Sequence, residues 1–139
     1  MSLIDKLLTV DARKLTELPT KKYEVKRLSK AIKGKFELEL QAISPQRYAE
    51  IQRNGVEMSK KGGVRDIKLY DMQTLTLING IKEPSLKDPA LLAHIGAATP
   101  KELIGKLFLS GEIADIYNEI NELSGYEKDD EQADEEIKN

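Results

Sequence analysis

Hydrophobic and polar positions alternate most cleanly at residues 36–42, FELELQA. Phe36, Leu38, Leu40 and Ala42 fall on one side, and Glu37, Glu39 and Gln41 on the other. A period of two over that length predicts a strand with one buried face. The stretch 22–28, KYEVKRL, has a weaker form of the same pattern, with Tyr23 and Val25 opposed to Lys22, Glu24 and Lys26. With SKAIKGK as the link, the two segments predict a β-hairpin. Lys22 and Lys26 then face Glu37 and Glu39 across its wet side. Elsewhere the spacing turns helical. SLIDKLL, residues 2–8, puts Leu3, Ile4, Leu7 and Leu8 on one face with Ser2 as a cap, and DARKLTEL adds a turn or two before Pro19. Ile113, Ile116, Tyr117, Ile120 and Leu123 form a single apolar stripe in LSGEIADIYNEINELSGY, which predicts a helix that Ser110 caps and Gly125 ends.

Three further helix starts share one device. Ser44-Pro45, Asp88-Pro89 and Thr99-Pro100 each set a capping side chain before a proline, where the missing N–H costs nothing. Helices are expected over 45–54, 89–95 and 100–108, with Gly55 and Gly96 as stops. Thr99-Pro100-Lys101-Glu102 also fits a capping box. KKGGV, residues 60–64, reads as a flexible break. After it Asp66 caps IKLYDMQTLTLING, whose apolar residues cover most of a helix circumference, although Thr74 to Ile78 also suit a strand. The fold class is therefore α+β: a small antiparallel sheet or hairpin near the N-terminus, packed on a mainly helical C-terminal half. Residues 1–125 read as one domain and residues 126–139 as a disordered acidic tail, since that tail has too little apolar surface to offset its ordering entropy.

Charge sharpens that division. Residues 112–139 hold eleven acids and two lysines, a balance of −9, whereas residues 1–111 hold twenty basic and thirteen acidic residues, a balance of +7. The chain has no cysteine, which removes disulfides and thiolate metal sites and fits a reducing cytoplasm. The N-terminus lacks the apolar core of a signal peptide, because Asp5 and Lys6 interrupt it, and no run is long enough to span a bilayer.

Little in the sequence carries chemistry. Glu112, Asp115, Glu119 and Glu122 line the polar face of the last helix. Acid–base work needs two carboxylates in contrasting environments, usually in a cleft, so this stripe reads as a solvated helix face. Glu112, in the first turn, gains from the helix dipole. His94 is the only histidine and has no H-x-x-x-H or E-x-x-H spacing around it; near a helix C-terminus it reads as an interaction with the end carbonyls. Gly62-Gly63 belongs to neither phosphate-loop pattern. The cluster Lys26, Arg27, Lys30, Lys33 and Lys35 is the best nucleic-acid candidate, and a small nucleic-acid-binding regulator using that basic hairpin is the alternative function. Against it, Tyr23 and Phe36 point at the core and the lysines also suit a hairpin edge that must not pair. Leu69, Tyr70, Met72 and Phe108 are the candidate partner-binding residues; the same side chains would equally complete a core.

The C-terminal half carries a resemblance. GIKEPSLKDPALL, residues 80–92, precedes ATPKELIGKLFLSGEIADIYNEINELSGY, residues 98–126. Gly80, Ile81, Pro84, Leu86 and Asp88, then Thr99, Pro100, Glu102 and Leu103, then Leu109, Gly111, Glu112 and Ile113, and finally Leu123 to Tyr126 follow in the order and spacing of one family. The chain resembles the XkdN-like tail assembly chaperones of Gram-positive phages and prophages over residues 3–126, more loosely in its N-terminal half. The resemblance implies a non-enzymatic protein without a cofactor. It implies binding to the tape measure protein and help in bringing the tail tube protein to it, inside the bacterial cytoplasm. In many relatives a frameshift adds a second domain. No catalytic or metal residue carries over.

Overall fold

The computed structural model describes residues 2–62 and 65–126, apart from the side chains of 55–68. Along the chain it runs α1 (Leu3–Leu8), α2 (Ala12–Thr16), β1 (Thr20–Glu24), α3 (Lys26–Ile32), β2 (Glu37–Gln41), α4 (Pro45–Gly62), α5 (Arg65–Gly80), β3 (Ile81–Glu83), α6 (Pro89–Ile95), α7 (Pro100–Leu107) and α8 (Ser110–Leu123). The α+β class holds: a three-stranded antiparallel sheet, ordered β1-β2-β3, meets a layer of helices.

Strand β2 is the one the alternation marked. Leu38 and Leu40 are fully buried beneath the helices, and Ala42 continues the buried row just after the strand. Its pairing with β1 places Lys22 opposite Glu39 and Glu24 opposite Glu37. The expected hairpin is corrected here. Its first strand is Thr20–Glu24, shifted toward the N-terminus, and residues 26–32 are helical. Val25 and Leu28, three apart, are both buried, so the segment buries more apolar surface wound than extended. Ser29 fastens it at both ends: its Oγ donates to Glu24 at 2.8 Å and accepts the Phe36 N–H at 2.8 Å. Lys33 closes the helix in the left-handed region at φ 55°, and Lys26, the first residue of α3, lies off the sheet and not opposite an acid.

The proline-led starts stand as expected, except that Glu102 accepts the Ala98 N–H and not that of Thr99, so the capping box is only half made. Asp88 accepts from the N–H groups of Ala90 and Leu91, Thr99 from that of Glu102, and Ser44 weakly from that of Arg47. Gly96 stops α6 in the left-handed region at φ 81°. Gly55 does not stop α4, which continues to Gly62. A glycine inside a helix costs only about 1 kcal/mol against alanine, and α4 recovers that by packing along α5. Residues 74–78 are helical, within α5. The expected break at 60–64 falls partly on α4 and partly, at residues 63 and 64, outside the described residues; the capping side chain of Asp66 lies outside them too. So does the expected disorder of residues 127–139. Tyr126, by contrast, is placed, stacked on Tyr48 with ring centroids 5.0 Å apart.

The core gathers at the crossing of β2, α5, α7 and α8. Leu38, Leu40, Leu77, Leu103, Ile104, Ile116 and Ile120 are at 0% exposure. Gly80 ends α5 against α8, where an added Cβ would meet Ile120 side-chain atoms at 2.5–2.8 Å. That closeness is why a glycine stands there.

Candidate functional site

The carboxylates of α8 are the first place to look for chemistry. Two of them, Glu112 and Glu119, face the N-terminal elements. Glu112 takes the Arg27 guanidinium side-on, through Nε at 3.0 Å and Nη2 at 2.8 Å, while that Nη2 also donates to the Leu107 carbonyl at 2.8 Å. The same carboxylate accepts the Leu109 N–H at 2.8 Å, capping α8 in place of Ser110, whose own position is the first of the helix. Arg27 chiefly, with the Leu109 N–H, holds the Glu112 carboxyl below its ordinary range. Glu119 binds Lys21 on β1, and the Lys21 ammonium is correspondingly raised. The Glu112 and Glu119 side chains are only 19% and 18% exposed. The expectation of a solvated face is thus corrected for Glu112 and Glu119, which clasp α8 to α3 and β1, while Asp115 stands exposed as expected. The sequence placed the acids and the bases on separate elements but could not place the elements together.

The basic cluster divides. Arg27 is bound to Glu112, and Lys35 to Glu37 at 3.0 Å. Lys26, Lys30 and Lys33 stand exposed on the outer side of α3 and its cap. Tyr23 and Phe36 pack against the core, as the alternation required. His94 is exposed in the last turn of α6. Gly62 ends α4, and Gly63 lies outside the described residues. Among the described residues no group of three His, Cys, Asp or Glu side chains can hold a metal ion, and no helix is long and apolar enough to cross a membrane.

The four apolar candidates do not form one surface. Phe108 is 4% exposed and meets Phe36 edge-on, with centroids 6.5 Å apart, so it completes the core. Leu69 and Tyr70 on α5 are 51% and 38% exposed, with Met72 half-buried beside them. Tyr70 lies against α7 over Gly105, under the Lys101 ammonium at 5.9 Å from the ring centre. Lys101 reaches on to Asp71, which is 4% exposed.

A larger apolar surface went unmarked in the sequence. Seven large apolar side chains in residues 3–18, Leu3, Ile4, Leu7, Leu8, Val10, Leu15 and Leu18, are 38–78% exposed. Neither α1 nor α2 buries a single residue. The apolar face of α1 was visible in the spacing, but no local pattern says whether such a face is covered. A second feature is a cleft of about 250 Å³ lined by Ile43, Pro45, Tyr48, Ala49, Gln52, Ser124 and Tyr126. Burial, with Tyr117 and Tyr126 nearby, pushes the Tyr48 hydroxyl up to about 12.

Among the described residues the arrangement offers exposed apolar side chains and ion-pair clasps. No curated protein and no solved structure matches the chain. The sequence profile of the phage XkdN-like tail assembly chaperone protein matches residues 4–138, further than the motifs of the C-terminal half alone would carry it. Matched over nearly its whole length, the chain belongs to the XkdN-like family of phage tail assembly chaperones.

Proposed function

We propose that this chain binds the tape measure protein of its phage in the bacterial cytoplasm, keeps that long helical client from aggregating, and helps bring the tail tube protein to it. It does so without chemistry or cofactor. Family membership supports a role in tail assembly. The observation that carries the finer reading is the amount of large apolar side chain left uncovered on so small a body. The arm of residues 3–18 and the pair Leu69 and Tyr70, with Met72 beneath, supply it. Isolated surface leucines are ordinary, but seven exposed large apolar side chains within sixteen residues are a density that favours an interaction segment. An amphipathic client helix laid on such surface would exchange water for apolar contact, with the exposed lysines and acids at the rim.

Co-expression with the tape measure protein tests this. The client should stay in the supernatant and co-purify with the chaperone. A client equally soluble alone, or one that does not co-purify, would overturn the proposal.

A further inference from the structure

The two edges of the sheet are built differently. The β3 edge is three residues long, carries a register shift opposite Glu39 and Leu40, and runs into Pro84. Shortness, irregularity and proline are the ordinary means of stopping a sheet from growing. The β1 edge, Thr20–Glu24, has none of them along its length and pairs with β2 in unbroken register.

The ladder fixes where the β1 backbone groups point. Val25 donates its N–H to the Phe36 carbonyl at 3.0 Å, and the Pro19 carbonyl accepts from Ala42 at 2.9 Å. Bonded pairs alternate along an antiparallel ladder, so the odd-numbered residues from 19 to 25 turn to β2. The N–H and C=O groups of Thr20, Lys22 and Glu24 turn outward, and none of them has a hydrogen bond among the described residues. Thr20, Lys21 and Lys22 are exposed, and neither α1 nor α2, which lead into the strand, has a buried residue.

Charge defines what fits there. Side chains alternate across the strand, so Lys22 shares the wet face with Glu39, while Lys21 and Tyr23 turn toward α8. Lys22 has no ion pair among the described residues. On α8 the acids Glu112 and Glu119 hold Arg27 and Lys21, but Asp115 between them is exposed and has no base among the described residues. Asp115 lies close to Tyr23: burial first, and then the Asp115 charge, raise the Tyr23 hydroxyl above its usual range. An added strand therefore meets a free cation on one face and a free anion on the other. A second copy fits poorly, because the register that pairs the whole of β1 with its twin sets Lys22 against Lys22.

We propose that the outer edge of β1 takes one strand of a partner protein, an extended segment with an acidic side chain beside Lys22 and, next to it in sequence, a basic one that reaches Asp115. Main-chain hydrogen bonds supply the attachment, and the two charges choose the partner and the register. The edge is separate from the apolar side chains assigned to the tape measure protein, so the proposal stands apart from that reading.

A capped peptide, Thr-Val-Thr-Arg-Glu-Arg-Thr-Val-Thr, tests it on the full chain, read by amide hydrogen exchange in NMR. In the free chain the amides of Lys22 and Glu24 should exchange fast, and those of Lys21, Tyr23 and Val25 slowly. Peptide at about 1 mM should slow Lys22 and Glu24 about twofold, the effect of half occupancy at a Kd of that size. A peptide with Glu-Arg-Glu at its centre should protect them several-fold less. Lys22→Glu with Asp115→Lys, which leaves the backbone alone, should exchange the preference between the two peptides. Lys22→Pro removes only an outward N–H and should abolish the protection of Glu24 with the slow amides of the ladder unchanged. No slowing with the first peptide overturns the proposal. Equal slowing by both peptides shows that the charges select nothing and overturns it too. So does protection of Lys22 and Glu24 without peptide that rises with chain concentration, which would mean that a second copy holds the edge.

Discussion

Phe108 and Tyr70 are both large aromatics near the end of an apolar run, and only their surroundings separate them. Phe108 is 4% exposed against Phe36, so Phe108→Ala removes a filled volume and should cost about 3–5 kcal/mol in chemical denaturation. Tyr70 is 38% exposed and Leu69 51%, so Leu69→Ala and Tyr70→Ala should each cost less than about 1 kcal/mol while weakening client retention. A large stability loss at Leu69 would place that residue in the core and remove it from the binding surface. Gly80 makes a stricter residue-scale test, because an added Cβ meets Ile120 at three atoms within 2.8 Å. Gly80→Ala should cost about 1–3 kcal/mol, and Ile120→Val on the same chain should recover part of it by vacating one of those contacts. Two single costs that simply add would show that the pair does not press together.

At the scale of elements, what the sequence disclosed followed the range of the cause. Helix starts at Pro45, Pro89 and Pro100 were legible because capping is settled within four residues. Strand β2 was legible because its alternation is complete. Helix α3 was missed because its identity rests on Val25 and Leu28 reaching a core built from residues far along the chain, and that choice overrode the hairpin pattern. The clasp of α8 was missed for the same reason: Glu112 and Arg27 are eighty-five positions apart in sequence. That clasp has a pH signature. Arg27 lowers the folded-state pKa of Glu112, so the unfolded chain binds its proton more readily. The stabilisation is then fully present above the ordinary glutamate range, near pH 5, and is lost as pH falls through the lowered folded value. Glu112→Gln should remove about 1 kcal/mol near neutral pH, discounted for an exposed arginine partner, and flatten the decline in stability below pH 5. Parallel unfolding curves for the two proteins from pH 7 to pH 3 would mean that the pair contributes nothing.

For the whole molecule the question is why a packed body carries an apolar segment in front of its first strand. The segment's charges balance, with Asp5, Asp11 and Glu17 against Lys6, Arg13 and Lys14, so it has no electrostatic preference for a partner of either sign. Its caps are local: the Ser2 Oγ accepts the Asp5 N–H at 3.1 Å and the Asp11 carboxylate the Arg13 N–H at 2.9 Å. Helices of six and five residues are marginal by themselves, and these bury nothing that would hold them. Folding of the body therefore owes them almost nothing, whereas a partner that covers Leu3, Ile4, Leu7 and Leu8 gains apolar burial at about 25 cal/mol per Å². Stability and binding should come apart on one full-length variant with those four residues changed to serine. Its melting temperature should stay within about 6 °C of the unaltered chain, because removing one solvent-exposed side chain rarely costs more than about 0.5 kcal/mol, or about 2 kcal/mol for the four. Its hold on the co-expressed tape measure protein should fall several-fold. A matched variant with Leu69→Ser and Tyr70→Ser then divides the client between the two surfaces. If the arm variant retains the client in full and the α5 variant loses it, the client sits on α5 and the arm serves some other contact. If the arm variant melts much earlier, the arm packs on the body after all and its exposed leucines are part of the fold.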